Sequence, residues 1–491
     1  MSDTKSPPGH LGNLTEEQEA KLREAWTLLG KFIGMKVENT AAPAEKTAPK
    51  NEAPAQEKKK SRRSWFGLGG GSNNDPPTSD SASTHSTGIS ISDGDDKYGT
   101  MKDFQQTIAD KTPEQLRQTL WAMVKKDHPD VLLLRFLRAR KWDVNKAVIM
   151  LISTLRWRAD QYHVDDDIML NGEEGALKKA DDSNASDKKV ANDFIAQYKM
   201  GKSFVHGIDK EGRPISIVRV KTHKIGAHSN EAVEKFTVHQ IETARLALQG
   251  NVETVVLIFD MTGFTLANMD YQPVKFIIKC FEANYPESLG FILIHEAPWI
   301  FNSIWKIIRG WLDPVVAAKV NFTYGVKDLE KFIDRGNIIK ELGGDDPWEY
   351  KYLEVQPGEN DRMKDTAKRD EVVAKTSGLH QELQDATKEW IVAANNGDQE
   401  AVKTWKAKRE ELIAKLKDVY WDLDPYIRAR SYYDRAGVIL PGGDIDFYPE
   451  RKGKDATAKE VAAEPVTETV TEKAANGIAV EANPSTTVTV G

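Results

Sequence analysis

Thr254–Phe259 reads TVVLIF, a threonine followed by five large apolar residues, two of them adjacent valines. A short β-branched run with no polar alternation is the pattern of a strand buried on both faces. Outward from it, Pro214–Lys221 (PISIVRVK), Gly290–Ile294 and Val320–Tyr324 read as further strands. Helical patterns over Glu231–Gln249, Pro273–Asn284 and Trp299–Leu312 fall between them. Strands alternating with helices make βαβ units, so the fold class is α/β with a mainly parallel sheet. Helices precede the sheet. Thr112-Pro113 is a cap residue followed by proline at the first helical position, and Leu116, Leu120 and Val124 form that helix's inner stripe. A second helix covers Val131–Lys141, and Asp143 caps a third running to about Gln161.

The ends of the chain are less rich in core material. Leu14–Val37 reads as an amphipathic helix, with Thr15 and Gln18 at capping-box spacing and Leu22, Trp26, Leu29 and Ile33 at helical intervals. Glu38–Asp96 breaks into Ala/Pro-rich, Lys/Arg-rich and Gly/Ser/Asp-rich blocks that cannot bury enough surface to offset ordering entropy. The same composition returns from Arg451 to Gly491. Ser377–Arg435 is charged and helical, with Trp390, Trp405, Trp421 and Tyr426 as candidate anchors.

Composition narrows the function. Of 491 residues, 68 are basic and 75 acidic, a net charge of −7 that argues against a general nucleic-acid binder. The single cysteine, Cys280, excludes an intramolecular disulfide framework and a cysteine-rich zinc site. Strictly apolar runs stop at about five residues, against the ~20 needed to span a bilayer. Met1–His10 is polar and carries no signal-peptide apolar region. A soluble, cytoplasmic, partly disordered protein is expected.

Catalytic motifs fail one by one. Gly67 and Gly69–Gly71 lack a following Lys-Ser/Thr. Gly201-Lys202-Ser203 has Ala196 where a P-loop needs its first glycine, and a strand rather than a helix follows it. No G-x-S-x-G elbow exists. Cys280 lies in an apolar helix, where a thiol is usually a small buried hydrophobe. His206, His223, His228 and His239 lack zinc-helix spacing with a matching acidic ligand and read as surface or satisfied core histidines. No catalytic residue and no metal site is expected.

Trp299–Leu312 (WIFNSIWKIIRGWL) is apolar at nine of fourteen positions. Ile300, Phe301, Ile304, Trp305, Ile307, Ile308, Trp311 and Leu312 fill an arc of roughly 160°, wider than the roughly 100° that covering a sheet requires. Such a helix is either an ordinary core helix or one with a second apolar client, a lipid or a membrane surface.

Five motifs stand in order along the chain: Leu133–Asp143 (LLRFLRARKWD), Gly207–Ile215 (GIDKEGRPI), Asp260-Met261-Thr262-Gly263, Asn284–Glu287 (NYPE) and Ala297–Pro314 (APWIFNSIWKIIRGWLDP). Together they resemble the CRAL-TRIO lipid-binding family, specifically the fungal Sec-fourteen-like phosphatidylinositol transfer proteins, over about Lys102–Tyr352. The long insertion and the C-terminal extension are similar to a Csr-type fungal member. The resemblance implies a phospholipid held with its chains in an apolar cavity beneath a helical gate, Trp299–Leu312. Re-exposing on the order of thirty methylenes at ~0.8 kcal/mol each requires a closed cavity rather than an open groove. It implies headgroup contacts at Arg140 and Lys141 of the RARK motif, Glu287 of NYPE for inositol hydroxyls, and Lys319 for the phosphate. Without the resemblance, Arg140 and Lys141 read as the solvated end of a helix.

Two departures bear on ligand choice. Val316 stands where the transfer proteins have a threonine three residues before the lysine, a loss of one hydrogen bond worth about 1 kcal/mol. Val255 and Leu257 stand where phosphatidylcholine binders carry Ser and Thr, and an apolar wall of Val255, Leu257 and Val316 cannot satisfy a buried phosphate. The expectation is phosphatidylinositol as bound ligand, with no other cofactor and little phosphatidylcholine exchange. The alternative is a non-transferring sensor or adaptor for a sterol, an isoprenoid or haem. Expected partners are a transiently bound membrane surface, of endoplasmic reticulum or endosomes, and a lipid kinase receiving the lipid; the protein is expected to be a monomer and to bind no nucleic acid. Lys58–Phe66 (KKKSRRSWF) reads either as an anchor to anionic membrane, at about 1 kcal/mol per basic residue, or as a solvated or nuclear-import-like charge run.

The resulting plan is an N-terminal helical subdomain, a mainly parallel sheet domain with its gate, and a C-terminal helical extension. Its boundaries are a disordered stretch over 1–13, a helix over 14–37, a disordered linker over 38–98, the helical subdomain over 99–170, the lipid-binding domain over 190–353, a linker over 354–376, the helical extension over 377–449 and a disordered tail over 450–491.

Overall fold

The computed structural model describes residues 6–37, 96–182, 184–449 and 451. The Lys58–Phe66 segment, most of the expected linker and nearly all of the tail lie outside the described residues. Met1–Phe447 forms one compact unit. Tyr448–Gly491 is a separate one, whose described part is a turn with Arg451 over the Tyr448 ring, 3.6 Å from its centroid.

The helical frame begins at α1, Glu16–Ile33, where Thr15 and Gln18 form the expected reciprocal capping box and Gly34 ends the helix at φ 80°. It continues through α2 (Thr100–Asp110), α3 (Pro113–Val124), α4 (Pro129–Ala139) and α5 (Val144–Arg156), then through α6 (Leu170–Asp182) and α7 (Ala185–Lys199). Thr112 and Asp143 cap α3 and α5 as expected. The stretch over 171–189, between the two expected domains, is helical over 171–182 and again from Ala185.

The sheet has five strands in the order β1 (Ser203–Ile208), β2 (Pro214–Arg219), β3 (Val255–Asp260), β4 (Leu289–His295) and β5 (Val320–Thr323). Only β1 runs antiparallel; every other pairing is parallel. The TVVLIF strand is central. α8 (Asn230–Leu246), α9 (Tyr271–Lys279), α10 (Phe301–Arg309), α11 (Pro314–Ala318) and α12 (Gly325–Leu329) make the connections and the exit from β5. Side chains alternate across a strand, so β3 serves two layers. Val256 and Ile258 join Phe204, Ile217 and Leu293 against Leu329, Ile333 and Ile339. Val255, Leu257 and Phe259 point the other way, into a cavity.

Helices α13 (Thr366–Asn395), α14 (Gln399–Ile427) and α15 (Tyr432–Arg435) follow. They are no appendage: Leu383, Trp390, Ile391, Leu412 and Leu416 share one apolar core with α1, α3, α4 and α5. Arg409 donates to both oxygens of Asp130 at 2.8 and 2.6 Å, and Trp26 Nε1 donates to Asp130 Oδ1 at 2.7 Å. Burial opposes the charge on Asp130, yet Arg409 holds the carboxyl down to about 2. A second buried network gathers Arg158, Lys125 and Arg245 around Glu242, with Arg158 at 2.6 Å. Burial alone would raise the Glu242 pKa; these cations hold it well below the carboxylate range.

Three expected boundaries change. Part of the 1–13 stretch is ordered, because Arg138 donates to Gly9 O at 3.1 Å and His10 meets Glu253 at 2.9 Å. The expected linker over 38–98 has an ordered end, where Lys97 Nζ and the Tyr98 hydroxyl each donate to Glu282 at 2.7 Å. The 354–376 segment is not a linker throughout: Asp365 caps α13 by accepting from Lys368 N, so the helix starts at Thr366.

Candidate functional site

Between the cavity face of the sheet and helices α8, α9 and α10 lies a cavity of about 230 Å³. α8 contributes Val233, Phe236, Thr237, Gln240, Ile241 and Ala244, spaced three and four residues apart on one helix face. Val255 and Leu257 line it, together with Phe259, Ile292 and Ile294. Val316 does not. It sits on α11 one turn before Lys319, and Val320 on β5 supplies the wall instead.

The lid is α10, shorter than the expected Trp299–Leu312 because Ile300 is its N-cap and Gly310 ends it. Phe301, Ile304 and Ile308 are buried, and Phe301, Trp305, Ile308 and Leu312 face the cavity. Trp311 meets the Tyr271 ring edge-on at 5.3 Å. The wide apolar arc is thus divided, for Trp299 remains 84% exposed and Ile307 49%.

Trp299 has company. Ile225, Leu266 and Tyr324 are also exposed, and these four residues follow β2, β3, β4 and β5 in the chain. The C-terminal ends of parallel strands lie at one edge of a sheet. Phe264 and Phe301, edge-to-face at 5.8 Å, tie the loop carrying Leu266 to the lid. Exposed Lys221, Lys224, Lys306, Arg309 and Lys327 are interspersed with these residues.

Of the four headgroup candidates, Glu287 and Lys319 are brought together, while Arg140 and Lys141 lie at the C-terminal end of α4. Lys319 Nζ lies 4.0 Å from Glu287 Oε2 and donates to Leu289 O at 2.8 Å. Glu287 is held at φ 55°, a left-handed conformation forced by the turn into β4. Ser288, next along, lines the cavity. Arg140 is the C-cap of α4 and Lys141 follows at φ 50°. That helix reaches the same turn through Arg135, which donates to Ser288 Oγ at 3.0 Å. Burial pulls the Arg135 guanidinium down to about 10. Arg135 and Ser288 were missed in the sequence, although Arg135 stands inside the LLRFLRARK motif.

The rejected motifs also find places. Cys280 is fully buried in a π-helical turn, Cys280–Asn284, and burial raises its thiol pKa strongly. His239 is buried against the Tyr198 hydroxyl at 2.6 Å, and burial takes it down to about 3. His206 contacts Asp346 at 3.0 Å. Lys202 and His223, by contrast, line the cavity. The signal for Lys202 was the failed P-loop, which carried no phosphate-cradling geometry but did carry a buried lysine, and His223 stood among the four histidines. Among the described residues no helix is long and apolar enough to cross a membrane.

This is a lidded apolar cavity on a mainly parallel sheet behind a helical subdomain, and the chain belongs to the CRAL-TRIO family. The CRAL/TRIO domain matches residues 198–344 and the CRAL/TRIO N-terminal domain residues 100–153. A CRAL-TRIO domain-containing protein of Schizosaccharomyces pombe is 39% identical over 88% of this chain and 93% of its own. The phosphatidylinositol transfer protein CSR1 of Eremothecium gossypii is 37% identical, over 88% of this chain and 98% of its own. These two matches run well beyond the two domains, so the resemblance takes in more than the cavity.

Proposed function

We propose that this chain is a carrier, not an enzyme, that binds phosphatidylinositol in the α10-lidded cavity and exchanges it between membranes or presents it to a lipid kinase, with little phosphatidylcholine exchange. The observation that carries the reading is the Glu287–Lys319 pair at 4.0 Å beside the Ser288 end of an apolar cavity. A carboxylate offers acceptors to inositol hydroxyls, and an ammonium offers a point charge to a phosphodiester. The similar CSR1 protein, a phosphatidylinositol transfer protein by name, supports the same ligand.

The cavity's about 230 Å³ lies below the ~300–1,000 Å³ of ordinary ligand pockets. Admitting two acyl chains therefore requires α10 to swing away from the sheet. The apolar, basic-flanked edge carrying Ile225, Leu266, Trp299 and Tyr324 is where that opening meets a bilayer, since tryptophan and aliphatic tips suit the interface. The apolar β3 wall, Val255 and Leu257, disfavours a buried choline phosphate.

The test is transfer of labelled phosphatidylinositol and phosphatidylcholine between liposomes by the purified full chain. Lys319→Ala and Glu287→Lys are each expected to reduce phosphatidylinositol transfer about tenfold. Undiminished transfer in both variants overturns the headgroup assignment, and phosphatidylcholine as the preferred cargo overturns the ligand.

A further inference from the structure

The cavity has a second polar wall, opposite the β3 wall in chemistry and distant in sequence from the Glu287–Lys319 pair. Lys202 immediately precedes β1. Ser203 pairs with Val218, and Ser216 stands two residues before Val218 on the same face of β2. All four line the cavity, as do Thr237 and Gln240 of α8.

Two groups in this wall are incompletely satisfied. The Lys202 side chain is 7% exposed by residue, and its ammonium donates to Gln197 Oε1 and His223 Nδ1, both at 2.8 Å. Both acceptors are neutral. His223 in turn donates from Nε2 to Asp270 Oδ2 at 3.2 Å, so that carboxylate reaches the lysine only through an imidazole. An ammonium has three donors, and a buried cation without a direct counter-charge is costly. Burial accordingly lowers Lys202 to about 8, and burial with the lysine's charge lowers His223 as well. Gln240 supplies the second group. Its Oε1 accepts from the Tyr433 hydroxyl at 2.9 Å, while its Nε2 is buried without a partner.

We propose that this wall is an inner subsite for an anionic oxygen of an apolar ligand, with Lys202 supplying the charge and Gln240 Nε2 and the Ser203 and Ser216 hydroxyls the hydrogen bonds. The oxygen is a fatty-acid carboxylate or a phospholipid phosphate. The subsite rests on the reading of this cavity as a lipid site. It corrects the sequence-based picture of an apolar interior, because the apolar positions Val255 and Leu257 face polar ones contributed by β1, β2 and α8.

The experiment displaces Nile red, a neutral apolar dye, from the purified full chain with oleic acid, oleyl alcohol or dioleoyl phosphatidic acid. Oleic acid is expected to bind about tenfold more tightly than oleyl alcohol. Lys202→Met keeps the side chain's apolar bulk and is expected to erase that preference while leaving oleyl alcohol binding and the thermal midpoint in place. Gln240→Leu is expected to weaken oleic acid by a smaller factor. A Lys202→Met loss confined to oleic acid identifies a carboxylate site, and one confined to phosphatidic acid a phosphate site. Equal binding of acid and alcohol by the parent protein, together with phosphatidic acid binding that Lys202→Met leaves unchanged, overturns the subsite but leaves the lipid cavity standing. Failure of all three ligands to displace the dye overturns both.

Discussion

The helical frame and the lidded cavity are built from the same chain by opposite means. In the frame, buried charge is paired at close range: Asp130 with Arg409 at 2.6 Å, Glu242 with Arg158 at 2.6 Å. In the cavity, one wall is uniformly apolar and the other holds a lysine with neutral partners only and an amide without one. The lid is likewise half committed, with Ile304 buried and Trp299 84% exposed. The frame pairs its buried charges; the cavity and its edge keep unfinished contacts that the proposed ligand and membrane surface would complete.

The largest effect should come from breaking the frame. Arg409→Ala leaves Asp130 buried and unpaired, and is expected to destabilise the protein by about 3–5 kcal/mol, read by chemical denaturation. Asp130 adds a pH signature. Its folded value of about 2 lies below the ordinary aspartate value of 3.8, so its stabilisation is present above pH 3.8 and lost as pH falls toward 2. That contribution is about 2 kcal/mol, and Asp130→Asn should abolish the corresponding acid sensitivity. Liposome binding by correctly folded variants should be unchanged. A frame variant that kept its stability would sink the contrast.

An intermediate effect is expected in the lid. Ile304→Ala removes a buried side chain and should cost about 2 kcal/mol or more, whereas Trp299→Ala should alter stability by less than about 0.5 kcal/mol. The order reverses in vesicle sedimentation, where Trp299→Ala should weaken membrane binding more than Ile304→Ala does. Equal effects of the two in both assays would mean that the lid has a single face after all.

The smallest change sharpens the cavity side. Val255→Ser together with Leu257→Thr places hydroxyls on the β3 wall and should raise phosphatidylcholine exchange by a few-fold, each new hydrogen bond being worth about 1 kcal/mol. Phosphatidylinositol transfer should change little, because both substitutions leave the Glu287 carboxylate and the Lys319 ammonium in place. No gain in phosphatidylcholine exchange would show that wall polarity does not select the cargo.

Much of this was legible one element at a time. The capping box at Thr15, the cap at Thr112, the central strand and the apolar helix over Trp299–Leu312 all announce themselves through contacts within one turn or one strand. Harder to read were features whose parts are remote in sequence. Asp130 and Arg409 look like two ordinary surface charges, and the tryptophans at 390 and 421 do not say which core they enter. Val316 is assigned to the wall because the resemblance places a threonine of the transfer proteins there, but it sits on a short helix and does not line the cavity.

The sequence by itself determined the alternation of helix and strand, the apolar β3 face and the chemistry available at Glu287 and Lys319. Local periodicity and residue type are properties of a few consecutive positions, and they survive reading in one dimension. Only the tertiary structure decided that the C-terminal hairpin belongs to the N-terminal core, that Lys202 and Gln240 share a cavity wall, and that the lid's apolar arc is divided between inside and outside. Burial and counter-charge are sums over every segment that packs around a group, and those segments come from both ends of the chain.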